Sequence, residues 1–130
     1  MKTKEVTIAG KQVTLAYCYA TEIGFRGYTG QDISDYISEC QIAVNSGQMP
    51  DTQKSIYLVL AAIVAYNESQ GIKAEDAAVT DSDLIYHAKP AEVASAIATI
   101  VTLYSEWYEI PNDEPKNKEP QKGTKKRKNA

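Results

Sequence analysis

The stretch Ser55-Ile56-Tyr57-Leu58-Val59-Leu60-Ala61-Ala62-Ile63-Val64-Ala65-Tyr66 is the longest apolar run in the chain, and its reading decides the fold. Its eleven consecutive apolar residues, Ile56 to Tyr66, fall short of the roughly 20 that a helix needs to cross a bilayer. They are also apolar all round, which excludes a helix lying on a surface. The segment must be enclosed by its neighbours. Ile56, Tyr57 and Val59 also suit a buried strand, since periodicity does not separate the two in a short apolar run. Three alanines, Asp51 as an N-cap directly after Pro50, and helix-length spacing to the punctuation at Asn67 to Gly71 favour a helix from Asp51 to about Ser69.

Working outward, residues 4 to 17 alternate, with Val6 and Ile8 on one face and the pattern resuming at Val13, Leu15 and Tyr17 beyond Ala9-Gly10-Lys11. This predicts a β-hairpin with a glycine-bearing turn, whose apolar face must lie on the helices because an isolated hairpin is marginal in water. Tyr19 to Tyr28 reads as a short helix at best: Tyr19, Ile23, Phe25 and Arg26 fall at mixed helical intervals, while Gly24 and Gly27 weaken it. Close packing on the hairpin is the expected reason for those small residues. Thr29-Gly30 ends the segment. Asp32 then caps a helix running to about Val44, with Ile33, Tyr36, Ile37 and Cys40 on its inner face.

Beyond the central helix, Gly71 to Val79 is a connector without a period. Thr80 and Asp83 form a variant capping box for a short helix carrying Leu84, Ile85 and His87, which Lys89-Pro90 interrupts. Residues 90 to 109 give the clearest amphipathic helix, with Val93, Ile97, Ile100, Val101, Tyr104 and Trp107 or Tyr108 on one face and Glu92, Ser95, Thr99, Thr102 and Glu106 on the other. It should lie against the central helix. After Ile110 come Pro111, Pro115 and Pro120 among charged and amide residues, with no large apolar residue to the end. Such a segment buries too little to offset the entropy of ordering it. The expected architecture is α+β and mainly α: an N-terminal β-hairpin packed on a bundle of about four to five helices over residues 1–110, then a disordered basic tail over 111–130.

Charge divides along the same line. Residues 1–110 carry 7 basic and 14 acidic side chains, whereas residues 111–130 carry 7 basic and 3 acidic ones. An acidic body argues against a folded nucleic-acid surface, which needs Lys and Arg on one face. The tail, ending in Lys125-Lys126-Arg127-Lys128, lacks the interleaved aromatics that stack on bases. Cys18 and Cys40 show no disulfide-dense spacing and read as small hydrophobes in a reducing compartment. Met1-Lys2-Thr3-Lys4-Glu5 enters the first strand without the apolar core of a signal peptide, which points to the cytoplasm.

No catalytic constellation is visible. His87 is the one histidine, which excludes paired-histidine metal motifs, and the cysteines lack zinc spacing. A Cys–His nucleophile pair would need His87 to meet a thiol in space; a surface or capping histidine is the simpler reading. Asp81 and Asp83 near Glu75 and Asp76 lack the glycine and terminal glutamate of a calcium loop and read as helix caps. Gly24, Gly27 and Gly30 sit in a helix-like segment, unlike a phosphate-binding loop. Metal, cofactor and nucleotide sites are therefore not expected. Nine tyrosines against one phenylalanine stand out; tyrosine suits a core margin or a partner surface. Tyr104, Trp107 and Tyr108, near the exit of the basic tail, and Lys125, Lys126, Arg127 and Lys128 within it are the candidate partner-binding residues.

The hairpin Val6-Thr7-Ile8-Ala9-Gly10-Lys11-Gln12-Val13-Thr14-Leu15, the following Ala20-Thr21-Glu22-Ile23 and Thr29-Gly30-Gln31-Asp32-Ile33, the apolar central helix, the acid-capped helix and the charged tail together resemble a tail assembly chaperone of long-tailed phages or prophages. The resemblance spans about residues 4 to 109 and lies in the pattern of elements. It implies a non-enzymatic, mostly helical assembly factor that binds the tape measure protein and helps recruit tail tube subunits, in the cytoplasm of a bacterial host, with homo-oligomerisation open and no membrane or cofactor involved. The alternative from another class is a small regulatory or adaptor protein of a mobile element whose basic tail touches nucleic acid.

Overall fold

The computed structural model describes residues 1–48 and 50–110. Strands β1 (Lys2–Ile8) and β2 (Lys11–Tyr17) are followed by helices α1 (Tyr19–Thr29), α2 (Ile33–Asn45) and α3 (Thr52–Ser69). A single 3-10 turn at Ala74–Asp76 leads to α4 (Asp81–Tyr86) and α5 (Pro90–Trp107). An antiparallel hairpin on a set of helices is therefore the architecture, as the periodicities predict. The expected disordered segment, 111–130, and its lysine-arginine run lie outside the described residues.

The apolar run is helical. Asp51 accepts a hydrogen bond from the Lys54 N–H at 2.9 Å, which caps the first turn of α3. From Lys54 to Asn67 none of its side chains is exposed. Each fully buried Leu58, Val59 or Ile63 contributes about 1.5–3 kcal/mol by leaving water, so burial outweighs the reduced helix propensity of the β-branched residues. The helix ends at Gln70, and Gly71, at φ +71°, supplies the left-handed residue that lets the Ile72 N–H return to the Asn67 carbonyl at 2.9 Å.

Around α3 the other elements are laid by specific contacts. Tyr36 on α2, fully buried, donates its hydroxyl hydrogen bond to the Asp51 carbonyl at 3.1 Å and lies within hydrogen-bonding distance of the Ser55 hydroxyl. Burial pushes its phenol above the ordinary range. Gly24 of α1 faces Ala61 of α3, where an added Cβ would meet the alanine Cβ at 3.6 Å. This corrects the expectation that the α1 glycines serve packing on the hairpin. Gly24 lies against the central helix, and a Cβ on Gly27 would have nothing within 4 Å.

The hairpin pairs Ile8 with Lys11 across a two-residue turn, Ala9-Gly10, in which both residues have positive φ (53° and 75°). That is the turn geometry matching the twist of paired strands. β1 begins at Lys2, two residues before the alternation becomes visible in the sequence. Ile8, Val13, Leu15 and Tyr17 form the face that joins the core. α5 lies across this hairpin as well as against α3. Its buried line is Ala96, Ile100 and Leu103, with Val93, Ile97, Val101, Tyr104 and Trp107 half-buried beside it. The predicted stripe is thus rotated: Ala96 and Leu103 take the centre. Glu92, expected on the solvent face, instead turns to the hairpin.

Candidate functional site

The site is built where the open end of the hairpin meets the start of α1 and the end of α5. Tyr17, the last residue of β2, is fully buried, and Cys18 in extended conformation starts α1. Thr21 clamps this junction: its hydroxyl donates to the Ala16 carbonyl at 2.8 Å and accepts from the Cys18 N–H at 3.3 Å. One residue later, Glu22 receives the Tyr17 hydroxyl on Oε2 at 2.7 Å, and the Tyr108 hydroxyl donates to the same oxygen. Among the described residues Glu22 Oε1 receives no hydrogen bond.

Tyr108 is held by a backbone device. It is the C-cap of α5; Glu109 follows at φ 55°, its N–H returns to the Glu106 carbonyl at 3.2 Å, and the Ile110 N–H returns to the Ser105 carbonyl at 2.9 Å. This is the paired closure that terminates many helices, with glutamate where glycine is usual. The rings then pack edge to face: Tyr17 on Tyr104 at 5.6 Å, Tyr104 on Tyr108 at 5.1 Å, and Tyr19 on Trp107 at 5.3 Å between centroids. Each such pair contributes about 0.5–1.5 kcal/mol beyond its buried area. The Tyr108 phenol is pushed up to about 12, mainly because its proton is held by Glu22. Tyr17 is raised further by burial, with Glu22 adding to it.

Beside this cluster runs a groove of about 370 Å³, lined by Ile23, Ile33, Tyr104 and Tyr108 with Glu22 on its wall. Arg26 and Asp32, also on the lining, form an ion pair at 3.1 Å between α1 and the start of α2. Side chains of the groove and others beside it are open to solvent. Ile23 is 71% exposed, Tyr19 65%, Ile110 46% and Tyr108 45%. Tyr19 and Ile23 stand one turn apart on the outer face of α1, away from the buried Phe25.

The structure brings Tyr104, Trp107 and Tyr108 together at this place; Lys125, Lys126, Arg127 and Lys128 lie outside the described residues. The α1 half of the site, Tyr19, Glu22 and Ile23, is not singled out by sequence reasoning. Its signal in the sequence is the tyrosine excess and an isoleucine four residues after Tyr19 that does not share a stripe with Phe25.

Elsewhere the candidate groups have capping roles or are buried. Thr80 and Asp83 form their reciprocal capping box, at 3.2 Å from the Asp83 N–H to the Thr80 hydroxyl and 3.0 Å from the Thr80 N–H to Asp83 Oδ2. These bonds, the Thr80 N–H first and then Lys11 at 3.4 Å, hold the Asp83 carboxyl below its usual range. His87 is the exposed C-cap of α4. Cys18 and Cys40 are free thiols, and burial pushes the Cys40 thiol up. Among the described residues no three His, Cys, Asp or Glu side chains gather as a metal site, and no helix is long and apolar enough to cross a membrane.

What this arrangement offers chemically is contact: aromatic faces, two aliphatic side chains and a fixed carboxylate on one margin. Comparison with protein-family models, with curated proteins and with solved structures returned no match.

Proposed function

We propose that this chain is a non-enzymatic holding protein, a tail assembly chaperone of a long-tailed phage or prophage that binds the tape measure protein and helps recruit tail tube subunits in the host cytoplasm. The observation that carries the reading is the exposed apolar surface of Tyr19, Ile23 and Tyr108 beside the groove, with the half-buried Trp107 packed on Tyr19 at its edge. A contiguous aromatic and aliphatic patch with a polar rim marks a place where another chain is held. Trp and Tyr are the residue types that dominate such contacts.

A long client helix with an unpaired apolar stripe aggregates unless that stripe is covered, and exposed apolar side chains beside a groove can take part of it. An acidic body keeps the pair soluble. The order of elements, hairpin first and apolar helix at the centre, supports the assignment to tail assembly. The test is co-expression with the long helical protein encoded next to it. The client should enter the soluble fraction when the chain is present and aggregate when it is absent; a client equally soluble, or equally insoluble, in both cases would refute the proposal.

A further inference from the structure

We infer that the groove selects a basic amphipathic helix, reading its cationic flank through Glu22; the inference rests on the holding role proposed above and specifies the chemistry of the occupant.

Three observations carry it. Glu22 is oriented rather than free, since the Tyr17 and Tyr108 hydroxyls both end on Oε2. That leaves Oε1 without a partner among the described residues, on a side chain that lines the groove. A carboxylate fixed in this way accepts from a lysine or arginine without first losing side-chain freedom. Second, Arg26, the only cation on the groove lining among the described residues, is paired with Asp32 at 3.1 Å, so the uncompensated charge there among those residues is negative. Glu106 and Glu109, exposed to either side of Tyr108 in the chain, extend that sign. Third, the lining mixes apolar and polar groups: Ile23, Tyr104 and Tyr108 offer contact to apolar side chains beside Glu22, Arg26, Asp32 and Ser34. Exposed apolar side chains beside a fixed carboxylate are complementary to a helix with an apolar stripe flanked by Lys or Arg. A helix flanked by Glu would place like charges together, which discriminates against it.

Trp107 is the only tryptophan of the chain and packs on Tyr19 at the edge of the patch, so its fluorescence reports binding there directly. The test titrates the full chain with two synthetic peptides of about 18 residues, long enough to hold a helix, with the same leucine stripe and either lysine or glutamate on its flanks. The lysine peptide should bind about tenfold tighter or more at low salt, and the preference should shrink as salt is raised. Glu22→Gln, which keeps an oxygen for the two phenols, should reduce the preference severalfold, while Glu75→Gln, outside the groove, should leave it. Equal binding of the two peptides would overturn the inference but leave the holding role standing. Equal loss in the Glu22→Gln and Glu75→Gln variants would reduce it to general attraction to an acidic body, and so overturn it. Neither peptide changing Trp107, or a Trp107 shift with protein concentration alone that marks a second copy as occupant, would overturn both readings.

Discussion

Glu92, in the first turn of α5, accepts a hydrogen bond at 2.9 Å from the backbone N–H of Ala9, 83 residues earlier in the chain. The same carboxylate accepts from the Gly10 N–H at 3.3 Å and caps its own helix through the Lys89 N–H at 2.9 Å. One side chain thus ties the hairpin turn to the helix start and occupies the favourable end of the helix dipole. Glu92→Ala should lower the urea midpoint without changing the slope. Because the Lys89 and Ala9 N–H groups hold this carboxyl below its usual 4.5, its stabilisation is present above that pH and is lost as pH falls through the lowered value. The difference between wild type and Glu92→Ala should therefore be clear at neutral pH and small in strong acid; an equal difference at both would contradict the assignment.

Among the described residues, two other than glycine hold left-handed backbone, Ala9 at φ 53° and Glu109 at φ 55°. Such conformations cost an L-residue roughly 1–2 kcal/mol. Ala9→Asn, which gives the Asn-Gly pair favoured in this turn, and Glu109→Gly, which gives the usual residue at this helix end, should each stabilise by up to about 1 kcal/mol. Thermal melts that show either variant less stable would mean that side-chain contacts outweigh the backbone gain.

The α1 glycines invite a paired test. A Cβ at Gly27 meets nothing and one at Gly24 meets Ala61 at ordinary contact distance, so both alanine variants should gain helix propensity, up to about 1 kcal/mol each. Gly30 stands at φ +74° as the C-cap of α1, and alanine there should destabilise by about 1 kcal/mol. The opposite signs, read from denaturant midpoints, check the packing of α1 on α3.

Alkaline titration separates the tyrosines. Tyr17 and Tyr36 are raised by burial, Tyr28 by burial with nearby carboxylates, and Tyr108 through Glu22. A phenol raised in the folded state favours the protonated form, so its stabilisation is complete below the ordinary value of 10.0 and is lost as pH rises towards the shifted value. Phenolate absorbance should rise in two stages, the second coinciding with loss of helical signal. Uniform titration of all nine tyrosines with the fold intact would contradict the burial of Tyr17 and Tyr36.

The fold was legible because local rules and burial agree along most of the chain. Asp51, Thr80 with Asp83, Gly30 and Pro90 mark helix ends by chemistry that needs no tertiary information, and the run from Ser55 to Tyr66 had to be enclosed. The α5 stripe was misplaced by its small member: Ala96 is fully buried, which an apolar pattern weighted towards large residues does not register. The site was half legible. Tyr104, Trp107 and Tyr108 share one helix end, whereas Tyr19, Glu22 and Ile23 join them only because the end of β2 delivers α1 to that place. Contacts over 86 residues, such as Tyr108 to Glu22, belong to topology and leave no trace in local spacing.

The central claim, that the α1–α5 patch holds an aggregation-prone helix, is tested most directly by light scattering from a refolding fragment of the neighbouring long helical protein. Wild-type chain and Tyr86→Ser, whose tyrosine is 77% exposed on α4 at the opposite end of the hairpin, should suppress the scattering alike. Ile23→Ser and Tyr108→Ser should fail to do so while keeping wild-type helical content. Equal suppression by all four proteins, or by none, would contradict the account.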